Sequence, residues 1–250
     1  MDKTALLFDR SELQNAIEAE ELAAWKKKRY TAFRETMRET RYPCHFAVNA
    51  ERNDTARYLF VGSPRDRDAL FKLKAGLQGY LEQHQSIADR TTLVVFFEPP
   101  DEERSEQEYR DRFWRALEFL NERDPKPWPS DVPEDPNDPE WEFCFCGESM
   151  FIVGRAPFYT DRKSRYTPYG LEITIQPRRV LDDISGDTAE GRRARSIIRE
   201  RLDEYDDVSP HPDIGDYGDP DTREWKQYLL PTSNDESLSE FPIEIETEGS

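Results

Sequence analysis

The run Thr91–Phe97, TTLVVFF, constrains this chain more than any other stretch. It is apolar, β-branched and aromatic throughout and too short for most helices, so it predicts a central strand. Amphipathic segments flank it in sequence. From about Arg65 to His84, Leu70, Leu73, Leu77, Tyr80 and Leu81 share one helical face, and the stretch ending near Asn121 places Tyr109, Phe113, Trp114, Leu117 and Leu120 on another. Between that helix and the next strand the prolines 125, 127, 129, 133, 136 and 139 forbid regular helix and predict an extended surface loop, a lid or a linker.

The rest of the chain reads in the same way. Leu13, Ile17, Leu22, Trp25, Phe33 and Met37 recur at helical spacing, with Ser11 as N-cap, and predict one long helix or two in succession. After Pro43, Cys44–Ala50 and Arg57–Val61 have strand character about a polar turn and predict a hairpin. Trp141–Cys146, Ser149–Val153 and Gly170–Ile175 read as further strands, about Thr188 to Tyr205 as a helix, and Glu224–Leu230 as a short aromatic element. Strands interleaved with helices predict a single α+β domain over residues 1–237, its mixed or largely antiparallel sheet flanked by helices, with a fraying acidic tail at 238–250. No GxGxxG, Walker loop or GxSxG elbow occurs.

Charge limits the partners. Thirty-five basic against 53 acidic residues give −18, which repels phosphate backbones and anionic lipid, so neither nucleic acid nor a membrane is expected. Arginine outnumbers lysine 26 to nine, and the acids are dispersed along the whole chain. Such a surface suits very high salt and marks a halophilic protein, the plainer alternative being an ordinary acidic cytosolic one. There is no run of about 18 apolar residues, no apolar N-terminal signal segment and only three cysteines. These features predict a reduced, cytoplasmic protein.

Three histidines limit the chemistry. His84 falls on the apolar stripe of its helix, His45 follows Cys44 in an expected strand and would point away from it, and His211 is fixed between Pro210 and Pro212 in a polar loop. Cys144, Cys146 and His211 lack CxxC spacing and a fourth ligand for zinc. The unusual stretch is 155–179, where Arg155, Arg162, Lys163, Arg165, Arg178 and Arg179 interleave with Phe158, Tyr159, Tyr166 and Tyr169. Guanidinium forks and flat rings suit a planar ligand carrying carboxylates, and a stripe that merely pairs with neighbouring acids is the simpler alternative.

The strings TRYPCHFAVNA at 40–50, PWPSDVPEDPNDPEWEFCFCGESMFIV at 127–153, RKSRYTPYGLEITIQPRRVLDDI at 162–184 and HPDIGDYGDPDTREWKQYLLP at 211–231 resemble the YqcI/YcgG family of bacterial and archaeal proteins. The resemblance runs over roughly residues 10–232. One branch of that family acts in natural-product biosynthesis as haem-dependent N-hydroxylases of guanidino or amino-acid-derived substrates, as in guanitoxin assembly. It therefore implies haem b, a small-molecule substrate and an electron donor that the residues do not identify. His211 would be the iron ligand, with Cys44, in the family's Pro-Cys motif, as the rival thiolate. Relatives usually carry Pro or Thr where His45 stands.

On that reading the arginines of 155–179, Arg155, Arg162, Arg165 and Arg178 among them, would hold the haem propionates. Trp141, Phe143, Trp225 and Tyr228 would line the pocket under a cover formed by the 125–139 loop. Glu142, Glu148 and Glu224 are the carboxylates open to a cationic substrate. Two other readings stand beside it: a non-catalytic protein holding an anionic ligand through the 155–179 segment, and a homodimer whose exposed aromatics build the site.

Overall fold

A computed structural model of the protein describes residue 3, residues 6–181 and residues 189–245. The expected helix start at Thr188 and the last five residues of the expected tail lie outside the described residues. Six strands, β1 (Leu7–Phe8), β2 (Ala56–Val61), β3 (Thr92–Phe97), β4 (Phe143–Phe145), β5 (Glu148–Arg155) and β6 (Glu172–Pro177), lie in the order β1-β2-β3-β6-β5-β4. β2 and β3 are parallel, and every other pairing is antiparallel. The sheet is open and mixed, and all six residues of β3 are buried in its middle. An α+β fold is what results.

Strand alternation divides the core in two. Leu59, Val61, Leu93, Val95, Ile173 and Ile175 face one way, onto α4 (Arg67–Ile87) and α5 (Glu106–Asn121). Tyr58, Phe60, Val94 and Phe96 face the other way, onto α1 (Arg10–Glu18), α2 (Ala24–Arg38) and α3 (His45–Arg52). The sixth helix, α6 (Ala189–Tyr205), also lies on this second side. Opposite Gly154 the chain near Leu229 comes so close that an added Cβ would sit 2.6 Å from Leu229 Cδ1. The Gly154 N–H donates to Tyr228 O at 2.6 Å there, fixing the last part of the chain to the sheet.

Several elements differ from expectation for identifiable reasons. The hairpin at Cys44–Val61 is instead α3 followed by β2. Ala47, Val48, Ala50 and Glu51 are its buried residues, a helical spacing, and the two alanines favour helix. The N-cap of α1 is Asp9, not Ser11. Asp9 accepts the Glu12 N–H at 2.8 Å while Glu12 accepts the Asp9 N–H, and Ser11 instead reaches Asp54. Glu20, with φ of 58°, breaks α1 from α2. The β4–β5 hairpin does turn at Gly147, with Cys146 and Gly147 at φ of 55° and 76°. Asp124 secures that turn by accepting the Cys146 N–H.

Residues beyond 237 also touch the core. Phe241 packs its ring 4.9 Å from Trp141, 5.3 Å from Trp225 and 5.7 Å from Trp114. Ile243 and Ile245 rest on the same cluster.

Candidate functional site

On the α1–α3 side, β5 and β6 are left uncovered by those three helices, and a mostly apolar cleft of about 230 Å³ opens over them. Alternation puts Phe151, Val153 and Arg155 of β5 beside Thr174 and Gln176 of β6 as its floor. The end of α2 and the segment Tyr42–Ala47 form one wall. Ile198 and Leu202 of α6, with the loop Ile214–Tyr217, form the roof, and Glu224 and Gln227 close the far side. Asp216 fastens that roof. Its carboxylate lies 3.0 Å from Arg195 Nε and 2.6 Å from Arg199 Nη2, both on α6.

Cys44 stands half-buried on the cleft wall as N-cap of α3, and its neighbour His45 lines the same cleft. The strand expectation that sends the two to opposite faces fails because the backbone turns into a helix there. Burial pushes the Cys44 thiol up, and the Ala47 and Phe46 N–H groups at the helix start draw it part of the way back. His45 is exposed, with Arg201 Nη1 3.4 Å from its Nδ1.

The structure places His211 elsewhere. Its ring is buried, Nδ1 accepts the Asp213 N–H at 3.0 Å, and Nε2 faces Ser233 O at 3.2 Å. Both nitrogens are thus engaged with backbone outside the cleft. Among the described residues no three His, Cys, Asp or Glu side chains converge as a metal-ion site.

The arginine segment is distributed over several environments. Arg155 lies on the floor and pairs with Glu172 at 2.6 Å, both side chains buried. Arg178 lines the cleft and donates to Glu142 at 2.8 Å. Arg165, from the short 3-10 turn Lys163–Arg165, lines the cleft and donates to Tyr228 O at 3.5 Å, with no carboxylate in hydrogen-bond range among the described residues. Arg162 points away to Asn234, and Arg179 to His84.

The aromatic and acidic expectations separate in the same way. Trp141, Phe143, Trp225 and Tyr228 are buried in the α4–α5 core, not in the cleft, and Trp225 donates to Pro136 O at 2.9 Å. The 125–139 loop therefore covers this aromatic cluster, with Trp128 stacked on Trp141, and leaves the roof of the cleft to α6 and Ile214–Tyr217. Of the three acids, Glu224 lines the cleft, Glu142 is buried behind Arg178, and Glu148 begins β5 away from it. Burial pushes Glu224 up to about 8, with Arg178 opposing and Glu142 adding to the rise.

Asp216, Tyr217, Glu172 and Gln176 are not among the residues that the sequence singles out. Glu172 and Gln176 share strand parity with Thr174, and Asp216 and Tyr217 lie inside the HPDIGDYGDPD string, so a signal exists for both pairs.

The chain is similar to known proteins over most of its length. YcgG of Bacillus subtilis is 38% identical over 229 residues, covering 90% of each chain. YqcI of the same organism is 35% identical over 242 residues, covering 95% of this chain and 94% of its own. DcsA of Streptomyces lavendulae, named as a candidate N(omega)-hydroxy-L-arginine synthase, is 31% identical over 229 residues, covering 90% of this chain and 86% of its own. No solved structure matches the chain. With the YqcI/YcgG profile matching residues 33–244, across the Cys44 wall, the β5–β6 floor and the Asp216 clasp, the chain belongs to the YqcI/YcgG family.

Proposed function

We propose that this protein is a haem-dependent N-hydroxylase of a small guanidino or amino-acid-derived compound, with Cys44 as the iron ligand. One observation carries the choice of ligand: the Cys44 thiol opens into the cleft at a helix N-terminus, whereas both nitrogens of His211 are occupied outside it. The donor set suits haem b. A sulfur ligand stands on an apolar wall, Arg165 supplies positive charge for propionates, and Arg155 and Arg178, each paired with a glutamate, lie beside it. Arg165 is the strongest of these, being buried without a paired carboxylate among the described residues. The name of the Streptomyces relative supports the reaction class.

Bound haem would supply reductive activation of dioxygen, with an external donor providing the two electrons. The chain's own residues bind and enclose. Asp216, gripped by Arg195 and Arg199, holds α6 against the loop and keeps water from the cleft, while Phe151, Val153 and Leu202 offer apolar surface to the ligand.

The second reading, an anion-binding protein without catalysis, is favoured by the same Arg165, which any carboxylate would satisfy. An absorption spectrum separates the two. Protein purified in high salt from haem-supplemented cells is recorded before and after dithionite and carbon monoxide. A Soret band with a thiolate-type reduced-CO position, lost in Cys44→Ala and kept in His211→Ala, is expected. No Soret band even after titration with hemin would leave the anion-binding reading.

A further inference from the structure

The Glu142–Arg178–Glu224 group at the closed end of the cleft holds two carboxylates and one guanidinium. Arg178 is committed. Its Nη1 donates to Glu142 Oε1 at 2.8 Å, and its guanidinium lies 3.8 Å over the Tyr217 ring. Glu224 has only the remainder of that charge, with Oε1 3.8 Å from Arg178 Nη1. Its Oε2 accepts from Gln227 Nε2 at 3.1 Å, and among the described residues no donor bonds Oε1. A buried carboxylate left in this state is costly unless something positive arrives.

We propose that Glu224 is the specificity-determining residue of the cleft, the carboxylate that receives the cationic head, guanidinium or ammonium, of the ligand. This rests on the reading of the cleft as the substrate site. Of the other cations lining the cleft, Arg165 donates to Tyr228 O and forms no ion pair with Glu224 among the described residues. Arg195 and Arg199 hold Asp216, and Arg155 holds Glu172. A planar guanidinium can give Glu224 the paired N–H donors that Arg178 is too distant to give. The hydrocarbon part of such a ligand would rest on Val153, Ile198 and Ile214. An uncharged urea of the same shape brings no charge to hold Glu224 ionised and binds less tightly.

The assignment makes binding proton-linked. With its carboxyl raised to about 8, Glu224 holds a proton at neutral pH in the empty cleft, and an arriving cation displaces it. The groups facing it are Arg178 after β6, Glu142 before β4, and Asp216, Tyr217 and Tyr228. Tyr217, pushed to about 12 by burial, and Tyr228, higher still, stay neutral. Cation affinity therefore rises with pH up to about 8 and then levels.

Isothermal calorimetry on the purified full chain tests this, with L-arginine and agmatine as probes and L-citrulline as the uncharged counterpart. Both cations should bind more tightly than L-citrulline, and they alone should release a proton. At pH 7, buffers of different ionisation enthalpy should report release of close to one proton. Glu224→Gln should weaken cation binding by about 30-fold or more and abolish the proton release. Glu118→Gln, on the opposite face of the sheet, should leave both unchanged. Equal binding of L-citrulline, cation binding by Glu224→Gln at wild-type strength, or no binding of either cation overturns the assignment. Haem-free protein with Glu224-dependent cation binding would sink the oxygenase reading alone. Haem-loaded protein indifferent to Glu224→Gln would sink the present assignment alone.

Discussion

Arg155 and Glu172 stand directly opposite each other on β5 and β6 and meet at 2.6 Å, both side chains out of solvent. Arg155 also donates to Tyr166 O and lies over the Tyr42 ring, so it cannot follow its partner to water. Glu172→Ala leaves a guanidinium buried and unpaired beneath the cleft. It is expected to lower stability by about 3–5 kcal/mol in urea denaturation. A loss below about 1 kcal/mol would mean that the pair contributes no more than a surface one.

Removing the Phe241 ring should destabilise the protein although the residue lies near the end of the chain. The ring fills a gap between Trp114, Trp141 and Trp225, and Phe241→Ala should cost about 1–2 kcal/mol, less than a fully buried aromatic because the ring is half-exposed. Thermal unfolding of that variant, and of a chain ending at residue 237, should show lowered midpoints. Unchanged midpoints in both would show that the segment is dispensable.

Residues that follow one period over a long run are legible in the sequence. Leu70, Leu73, Leu77 and Tyr80 do so in α4, and the unbroken apolar run of β3 names its central place. Cys44–Ala50 is not legible in this way, because seven residues with apolar positions on adjacent and alternate sites fit strand and helix alike until tertiary packing decides. That one element also hides the site, since only a helix start brings Cys44 and His45 to the same cleft. Trp225 and Tyr228 are legible as buried but not as to which side of the sheet they serve. Asp216 acquires its partners from α6, and no local pattern announces a pairing across a loop.

His84 makes the fold sensitive to mild acid. Its ring is buried and accepts from Arg179 at 3.0 Å, and burial together with that cation lowers its pKa to about 4 from 6.5. Between those values the unfolded chain binds the extra proton, so stability present above pH 6.5 is lost as pH falls towards 4. From pH 7.5 to pH 5 the wild type should lose about 2 kcal/mol more than His84→Gln in urea titrations. Parallel losses would contradict the burial of a neutral ring.

Glu224 has the opposite sign. The folded state keeps its proton up to about pH 8 while the unfolded chain releases it near 4.5, so this group lowers stability as pH rises through that window. Glu224→Gln should therefore be more stable than wild type by about 2–4 kcal/mol at pH 8.5, with the gap closing at pH 4.5. A destabilised variant at pH 8.5 would show that the carboxylate is satisfied where it stands.

The halophilic expectation drawn from the charge is tested by a salt response. With −18 spread over the chain, raising potassium chloride from 0.1 M to 2 M should lift the thermal midpoint by about 10 °C or more. A midpoint that stops rising by about 0.5 M would be that of an ordinary acidic protein.

The cleft draws its walls from Phe33 at one extreme and Gln227 at the other, with Cys44 waiting on strands that begin about a hundred residues later. During synthesis, the segments of α1–α3, β2 and β3 are made before those of β5 and β6, so the thiol has no floor until residue 177 has been added. Any ligand of this site must be loaded after the chain has been made as far as Gln227. Until then the cell has to keep an open, apolar, thiol-bearing surface from finding the wrong partner.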